Sequence, residues 1–360
     1  MHLIAETPLY TDKWFPIEDL EDLRPHLLVI VDTEEEFDWH APFGRANTSV
    51  TSMQAQYRIQ NIFRRYGVRP TYVMDYPVAS QPMGFEPLRE WHDSGECLIG
   101  AHLHPWVNMP FEEEVNDVNS YPGNLPPDLE RRKLEILTET ITRNFSHRPS
   151  IYKAGRYGLG PHTFSTLTEM GYQIDLSPVP YNDMRPKHGP DFRNIRAAPY
   201  WIGKPGGLLT VPLSSGFFGP LGAYGAAINR YLELPVSRLL HLRGILSRAG
   251  LFEYSILTPE GVDTSEHIRL TRAMIAQGRR VFCLTYHSPS LAPGNTDYVR
   301  TGADLDRFLA GIERYLDFFL NRLNGIASDP ISLRQHLLAR ISMTDDANGQ
   351  TRQTQRPLPA

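Results

Sequence analysis

The sequence predicts an α/β protein whose parallel sheet is covered by helices, either closed as a barrel or open and doubly wound. Three observations carry that expectation. Short apolar, β-branched runs recur along the chain, as strands buried on both faces require. Runs with helical spacing separate them. Each of the main strand runs also ends in an ionisable residue.

The elements follow in order. "HLLVIVD" (residues 26–32) is a buried strand, and "QYRIQNIFRRYG" places Ile59, Ile62, Phe63 and Tyr66 on one helical face, with Gly67 suited to end it. "TYVMD", "ECLIGAH" and "SIYKAG" read as the next strands. Helices are expected around "EPLREWHDSG" and from about Asp128, where Leu134, Leu137, Ile141 and Phe145 share a side. "PHTFSTLTEMG" has Pro161 near a first helical turn. Strand "YQIDLS", strand "GLLTVPL", helix "TSEHIRLTRAMIAQG", strand "RVFCLTYH" and helix "GADLDRFLAGIERYLDFFLNRL" complete about seven strands with intervening helices. Residues 180–259, rich in Pro and Gly and then basic and amphipathic, read as an irregular insertion over the barrel mouth. Their amphipathic helix is expected to pack on the body or to meet a membrane surface or partner. The organisation expected is an arm over 1–25, the main domain over 26–325, and an extension over 326–360 that is disordered from about 345.

Composition excludes several function classes. With 36 Lys and Arg against 41 Asp and Glu, the net charge of −5 leaves nothing to neutralise a phosphate backbone, so no nucleic-acid partner is expected. Cys97 and Cys283 lie in apolar runs and read as buried free thiols, not as a disulfide or metal site. No window is long and apolar enough to span a bilayer, and the first residues lack an export pattern, which makes the cytoplasm the expected compartment.

In a parallel barrel, reactive groups project from the C-terminal ends of the strands. There the sequence offers Asp32, Glu34, Glu35, Glu36 and Asp38, then Asp75, His102 and His104, Lys153 and Arg156, Asp175, and His287. Acid, imidazole and cation at one rim are the ingredients of a metal-assisted hydrolase. If the strand continues through His104, the two imidazoles face the same side. With a carboxylate from Asp32 or Glu34 they suit zinc. Glu35 and Glu36 read as a solvated loop.

The runs "LLVIVDTEEEFDW", "IGAHLHPW", "YKAGRYGLG", "YQIDLSPVPYND" and "FCLTYHSPSL" resemble, in order, the five motifs of the NodB-type polysaccharide deacetylases, carbohydrate esterase family 4, and look most like its WalW-type branch. The resemblance implies a distorted (β/α) barrel, usually of seven strands, and divalent-metal-dependent removal of N-acetyl groups from sugars. Zinc is the expected ion, with cobalt, manganese or nickel as alternatives. It implies Asp32 as catalytic base, Glu34 with His102 and His104 as metal ligands, Lys153 or Arg156 orienting the base, His287 as general acid, and Asp175 steadying His287. The chain departs from the family pattern at Thr33, which follows Asp32 where a ligand Asp stands, and at Trp106, which occupies the place of the second histidine. The substrate expected is an N-acetylated carbohydrate or a smaller amide. Trp39, Trp106, Tyr157, Tyr181 and Tyr200 are candidates for stacking on sugar rings or for packing.

Two rival readings remain open at this point. A His-x-His pair also resembles the amidohydrolases, although there it follows the first strand. Loss of the metal would leave a cleft that only binds a glycan or a partner.

Overall fold

The computed structural model describes residues 14–341 apart from 18–19, 233, 235 and 238–240. The expectation of disorder from about residue 345 lies outside the described residues, as does most of the N-terminal arm.

Seven parallel strands form the body: β1 (His26–Thr33), β2 (Thr71–Met74), β3 (Leu98–Leu103), β4 (Ile151–Ala154), β5 (Ile174–Asp175), β6 (Leu208–Thr210) and β7 (Val281–His287). They lie in the spatial order β7-β1-β2-β3-β4-β5-β6. All eight residues of β1 are buried, as its unbroken apolar run requires. The helix Tyr57–Tyr66 turns Ile59, Ile62 and Phe63 inward and stops at Gly67, whose φ of 62° is a left-handed conformation that glycine adopts without strain. Helices Pro127–Phe145, Thr264–Ala276 and Gly302–Leu316 arise where their spacing places them. One continuous apolar core joins strands and helices.

The barrel is distorted because β6 and β7 do not pair. Residues between them bridge the seam: the Leu257 amide donates to the Ser214 carbonyl (2.7 Å), the Thr285 amide to the Leu257 carbonyl (3.2 Å), and the Cys283 amide to Ser214 Oγ (2.8 Å). Outside β6 run the antiparallel strands Tyr200–Ile202 and then Trp14–Pro16.

The segment 180–259 differs from its expected place. It contains β6 itself, then leaves the seam as Ser215–Phe218 and returns antiparallel as Glu253–Ile256. That returning strand rises beside β7 toward the mouth, so the excursion between the two strands hangs at the opposite, N-terminal end. There Gln277, just before β7, meets the Gly222 carbonyl, and Arg279 reaches the Ser215 carbonyl and the Tyr181 hydroxyl. Its short helices have a small core of their own in Phe217, Leu232 and Phe252. The mouth is walled instead by the segment after β1.

Candidate active site

Parallel register sets the first pair. Asp32 and His287 are partners on adjacent strands, so their side chains rise together, with His287 Nε2 3.7 Å from Asp32 Oδ2. Across the barrel, Lys153 on β4 donates to both Asp32 oxygens (2.6 and 2.5 Å) and to Thr285 Oγ1 (3.0 Å). Burial opposes the Asp32 charge, and the Lys153 ammonium, with His102 and His287 beyond it, more than offsets that. The carboxyl is held below its ordinary value. Of the two candidate cations only Lys153 reaches Asp32. Arg156 turns away, its guanidinium over the rings of Tyr121 (4.1 Å) and Phe43 (4.8 Å), and it donates to Ser120 Oγ.

The partner of His287 is one that sequence reasoning missed. Glu260 accepts from His287 Nδ1 (2.7 Å), from the His287 amide (3.0 Å) and from Ser290 Oγ (2.5 Å). Burial disfavours the imidazolium, yet Glu260, Glu34 and Asp32 outweigh it, and His287 is pushed up to about 10. Asp175 does not fill the supporting role expected of it. It ends the two-residue β5, where Ser177 donates to its Oδ1 through both hydroxyl and amide. Burial pushes it up to about 7. The only sequence signal for Glu260 was a carboxylate in the turn "LTPEG".

The second group is held differently. His104 keeps extended geometry just past β3, so it and His102 face the same side, as alternation requires. His102 Nδ1 donates to the Lys153 carbonyl (2.9 Å), a contact set by the His102 to Lys153 register, and His104 Nδ1 donates to Glu35 Oε2 (2.8 Å). Each proton is thereby fixed on Nδ1, which leaves both Nε2 lone pairs free. They point at Glu34 Oε2, 3.7 and 3.5 Å away. Burial lowers both imidazoles, His104 to about 4, so they are neutral at ordinary pH.

Glu35 is no solvated loop residue. It is fully buried, accepts Trp106 Nε1 (2.7 Å) as well as His104, and its amide donates to Asp75 Oδ2 (2.7 Å). Asp75 also caps the following helix through the Val78 amide (2.8 Å). Burial, with the Glu34 charge nearby, pushes Glu35 up to about 8 although Asp75 and Trp106 bond to it, and burial with Glu35 beside it pushes Asp75 well above its ordinary value. Trp106, standing in the place of a family histidine, stacks on His104 (centroids 4.3 Å) and helps position it. Glu36 is also engaged, bonding Ser49, Thr51 and the Ser52 amide.

Among the described residues, two buried groups have the ligand atoms and proximity for a cation: Glu34 with His102 and His104, and Glu35 with Asp75 and His104. The second is satisfied by its own hydrogen bonds. The first fits a divalent ion, because two oriented imidazole lone pairs converge on a carboxyl that burial, with the Asp32 charge nearby, raises above its ordinary value although His287 and His102 oppose the shift. Asp32 is committed to Lys153, which leaves Glu34 as the carboxylate for that group.

Of the aromatic candidates, Trp39 stands against His287 (centroids 5.0 Å) and Tyr157 under the Lys153 ammonium (5.1 Å). Tyr181 and Tyr200 lie elsewhere, Tyr181 against Phe217 and Arg279 and Tyr200 against Trp14. A cleft of about 530 Å³ opens beside Trp39, between the segment after β1 and residues 294–300.

No family model and no curated protein matches the sequence. Among solved structures, the chain is similar to Puue allantoinase at 14% identity, over 87% of this chain and 90% of that one, with a TM-score of 0.47. It is similar to a mutant of the peptidoglycan deacetylase PdaC from Bacillus subtilis at 10% identity, over 92% and 97%, with a TM-score of 0.40. A family 4 acetyl xylan esterase from Clostridium thermocellum, in complex with a cobalt ion, is similar over 45% of this chain and 62% of that one, at 14% identity and a TM-score of 0.29. In its ordered motifs and in the barrel that gathers them at one mouth, the chain resembles the NodB-type polysaccharide deacetylases.

Proposed function

We propose that the protein is a metal-dependent hydrolase of carbon–nitrogen amide bonds, acting most directly on the N-acetyl group of a sugar or glycan. One observation carries the reading. A carboxylate paired with a cation and an imidazole paired with a carboxylate stand 3.7 Å apart beside a buried Glu-His-His group. A divalent ion held by Glu34, His102 and His104, with zinc the first expectation, would supply Lewis acidity toward the amide carbonyl and the attacking water.

The chain's own groups do the rest. Asp32, kept ionised by Lys153, takes the proton of the attacking water. His287, kept protonated by Glu260, gives a proton to the departing nitrogen, so that the amine leaves in preference to water. Glu35 and Trp106 orient His104, and the Lys153 carbonyl orients His102. Trp39, which stands against His287, and the cleft it lines offer a flat apolar face and polar rim groups of the kind a sugar ring occupies.

The test is incubation with zinc, cobalt, manganese or nickel and a panel of N-acetylated sugars, with acetate release as readout. Metal-stimulated release that is lost in Asp32→Asn supports the proposal. Metal analysis of the purified protein separates it from a metal-free binding role, since a chain with no affinity for any of these ions would overturn it. Among the described residues no helix is long and apolar enough to cross a membrane.

A further inference from the structure

The excursion between Ser215–Phe218 and Glu253–Ile256 has no part in the site, and its surface is unlike the rest of the molecule. Of thirteen large hydrophobic side chains exposed among the described residues, six fall within residues 224–251: Tyr224, Tyr231, Leu234, Val236, Ile245 and Leu251. Tyr224, Tyr231 and Val236 are 69%, 69% and 66% exposed, more than any of the other ten. The helices Gly225–Leu232 and Leu242–Arg248 turn Leu232, Leu242 and Leu246 toward the local core and the remainder of their surface outward.

Charge is equally uneven. Across residues 219–252 the sequence carries four arginines against one glutamate, +3, in a chain whose net charge is −5. Arg230 and Arg248 are exposed and Arg243 bonds Asn229 on the neighbouring helix. Exposed aromatic and aliphatic side chains interleaved with arginine on short helices match the headgroup region of an anionic bilayer. There Tyr and the aliphatic chains enter the acyl boundary while guanidinium groups meet phosphate.

We propose that residues 219–252 dock the protein peripherally on an anionic lipid surface, with the active-site mouth at the other end of the barrel left facing solvent. An acidic protein or a second copy of this chain would meet the same charges less well. The remainder of the chain is acidic, but the exposed side chains of this patch line neither the cleft beside Trp39 nor the one between residues 195–199 and 277–281, and they project outward. A planar partner suits such a patch.

The full chain is tested by co-sedimentation with vesicles of phosphatidylcholine alone and of phosphatidylcholine with phosphatidylglycerol, at low and high salt. Binding to the anionic vesicles that weakens at high salt, with little binding to the neutral ones, is expected. Tyr231→Ser with Ile245→Ser should reduce it at least tenfold, and Arg230→Glu and Arg248→Glu by roughly fivefold for each charge removed. Unchanged melting of the variants shows that they fold, since these side chains project outward. No binding to the anionic vesicles, equal binding to both compositions, or variants that bind as the parent would overturn the proposal. So would light scattering that shows a dimer in the parent and a monomer in Tyr231→Ser, which would assign the patch to self-association.

Discussion

The two halves of the mouth treat buried charge in opposite ways. On the β1 and β7 side, Asp32 meets a Lys153 ammonium and His287 meets Glu260, so charged forms persist although the residues are buried or nearly so. On the β3 side, burial strips the charge: His102 and His104 are neutral, and Glu34, Glu35 and Asp75 are all pushed upward. The difference has a chemical meaning. A pair of groups kept charged and apart can exchange protons with a substrate, whereas neutral imidazoles whose lone pairs converge on a buried carboxyl are suited to hold a positive ion.

The largest effect should come from breaking the neutral half. His102→Ala removes one of two oriented lone pairs, and divalent-ion binding is expected to vanish in metal analysis of the purified variant. Full occupancy with unchanged affinity would remove the site from Glu34, His102 and His104. Breaking the charged half should leave the ion in place and slow the reaction. His287→Asn is expected to lose roughly 10² to 10⁴ in rate, the usual worth of a positioned proton donor. Parental turnover by that variant, folded and metal-loaded, would falsify the assignment of His287 as acid.

Finer changes sharpen the contrast. Glu35→Gln keeps the shape of the His104 support but weakens its acceptor, and metal affinity should fall about 10- to 100-fold, as for other groups that orient a ligand histidine. Unaltered affinity in a titration would reduce Glu35 to packing. Glu260→Gln acts on the charged half. His287 donates only when protonated, so activity is present below its pKa and lost as pH rises through it. Removing the Glu260 charge, the largest of those that raise His287, should move the alkaline limb of the rate profile to lower pH. An alkaline limb that stays where it was would show that some other group sets it.

Strand runs announced the barrel because a strand covered on both faces has little choice but unbroken apolar sequence, as in β1 and β7. Their polar ends then located Asp32, His102, His104 and His287. What escaped notice lay off that pattern. Glu260 follows an edge strand, and only the closing of the seam, with Leu257 against Thr285, brings it to His287. Glu35 sits in a run of three glutamates that reads as solvated, yet the chain turns there and carries it under Trp106. The excursion lies at the end opposite to the expected one because its Gly and Pro content signals irregular chain without saying at which end of the barrel it lies. That depends on the direction of Ser215–Phe218, which runs antiparallel to its returning partner.

The smallest effect concerns a buried carboxyl outside the site that has no cation. Among the described residues, Glu130, on the helix Pro127–Phe145, accepts from the Thr163 hydroxyl (2.6 Å) and meets no cation, and burial pushes it up to about 7 from 4.5. Asp32 is as deeply buried but shifts the other way, because the Lys153 ammonium faces it with His102 and His287 beyond. The sign follows from linkage. A folded-state value above the unfolded one means that the neutral form is favoured by folding. Glu130 therefore contributes fully below about 4.5, and that contribution is lost as pH rises through about 7. The loss is on the order of 3 kcal/mol at most. Glu130→Gln keeps an acceptor for Thr163 and cannot ionise, so its thermal midpoint should drop less than the parent's between pH 4.5 and pH 8. Equal drops in the two proteins would mean that Glu130 stays charged in the fold, and that burial without a cation does not decide the state of a carboxyl here.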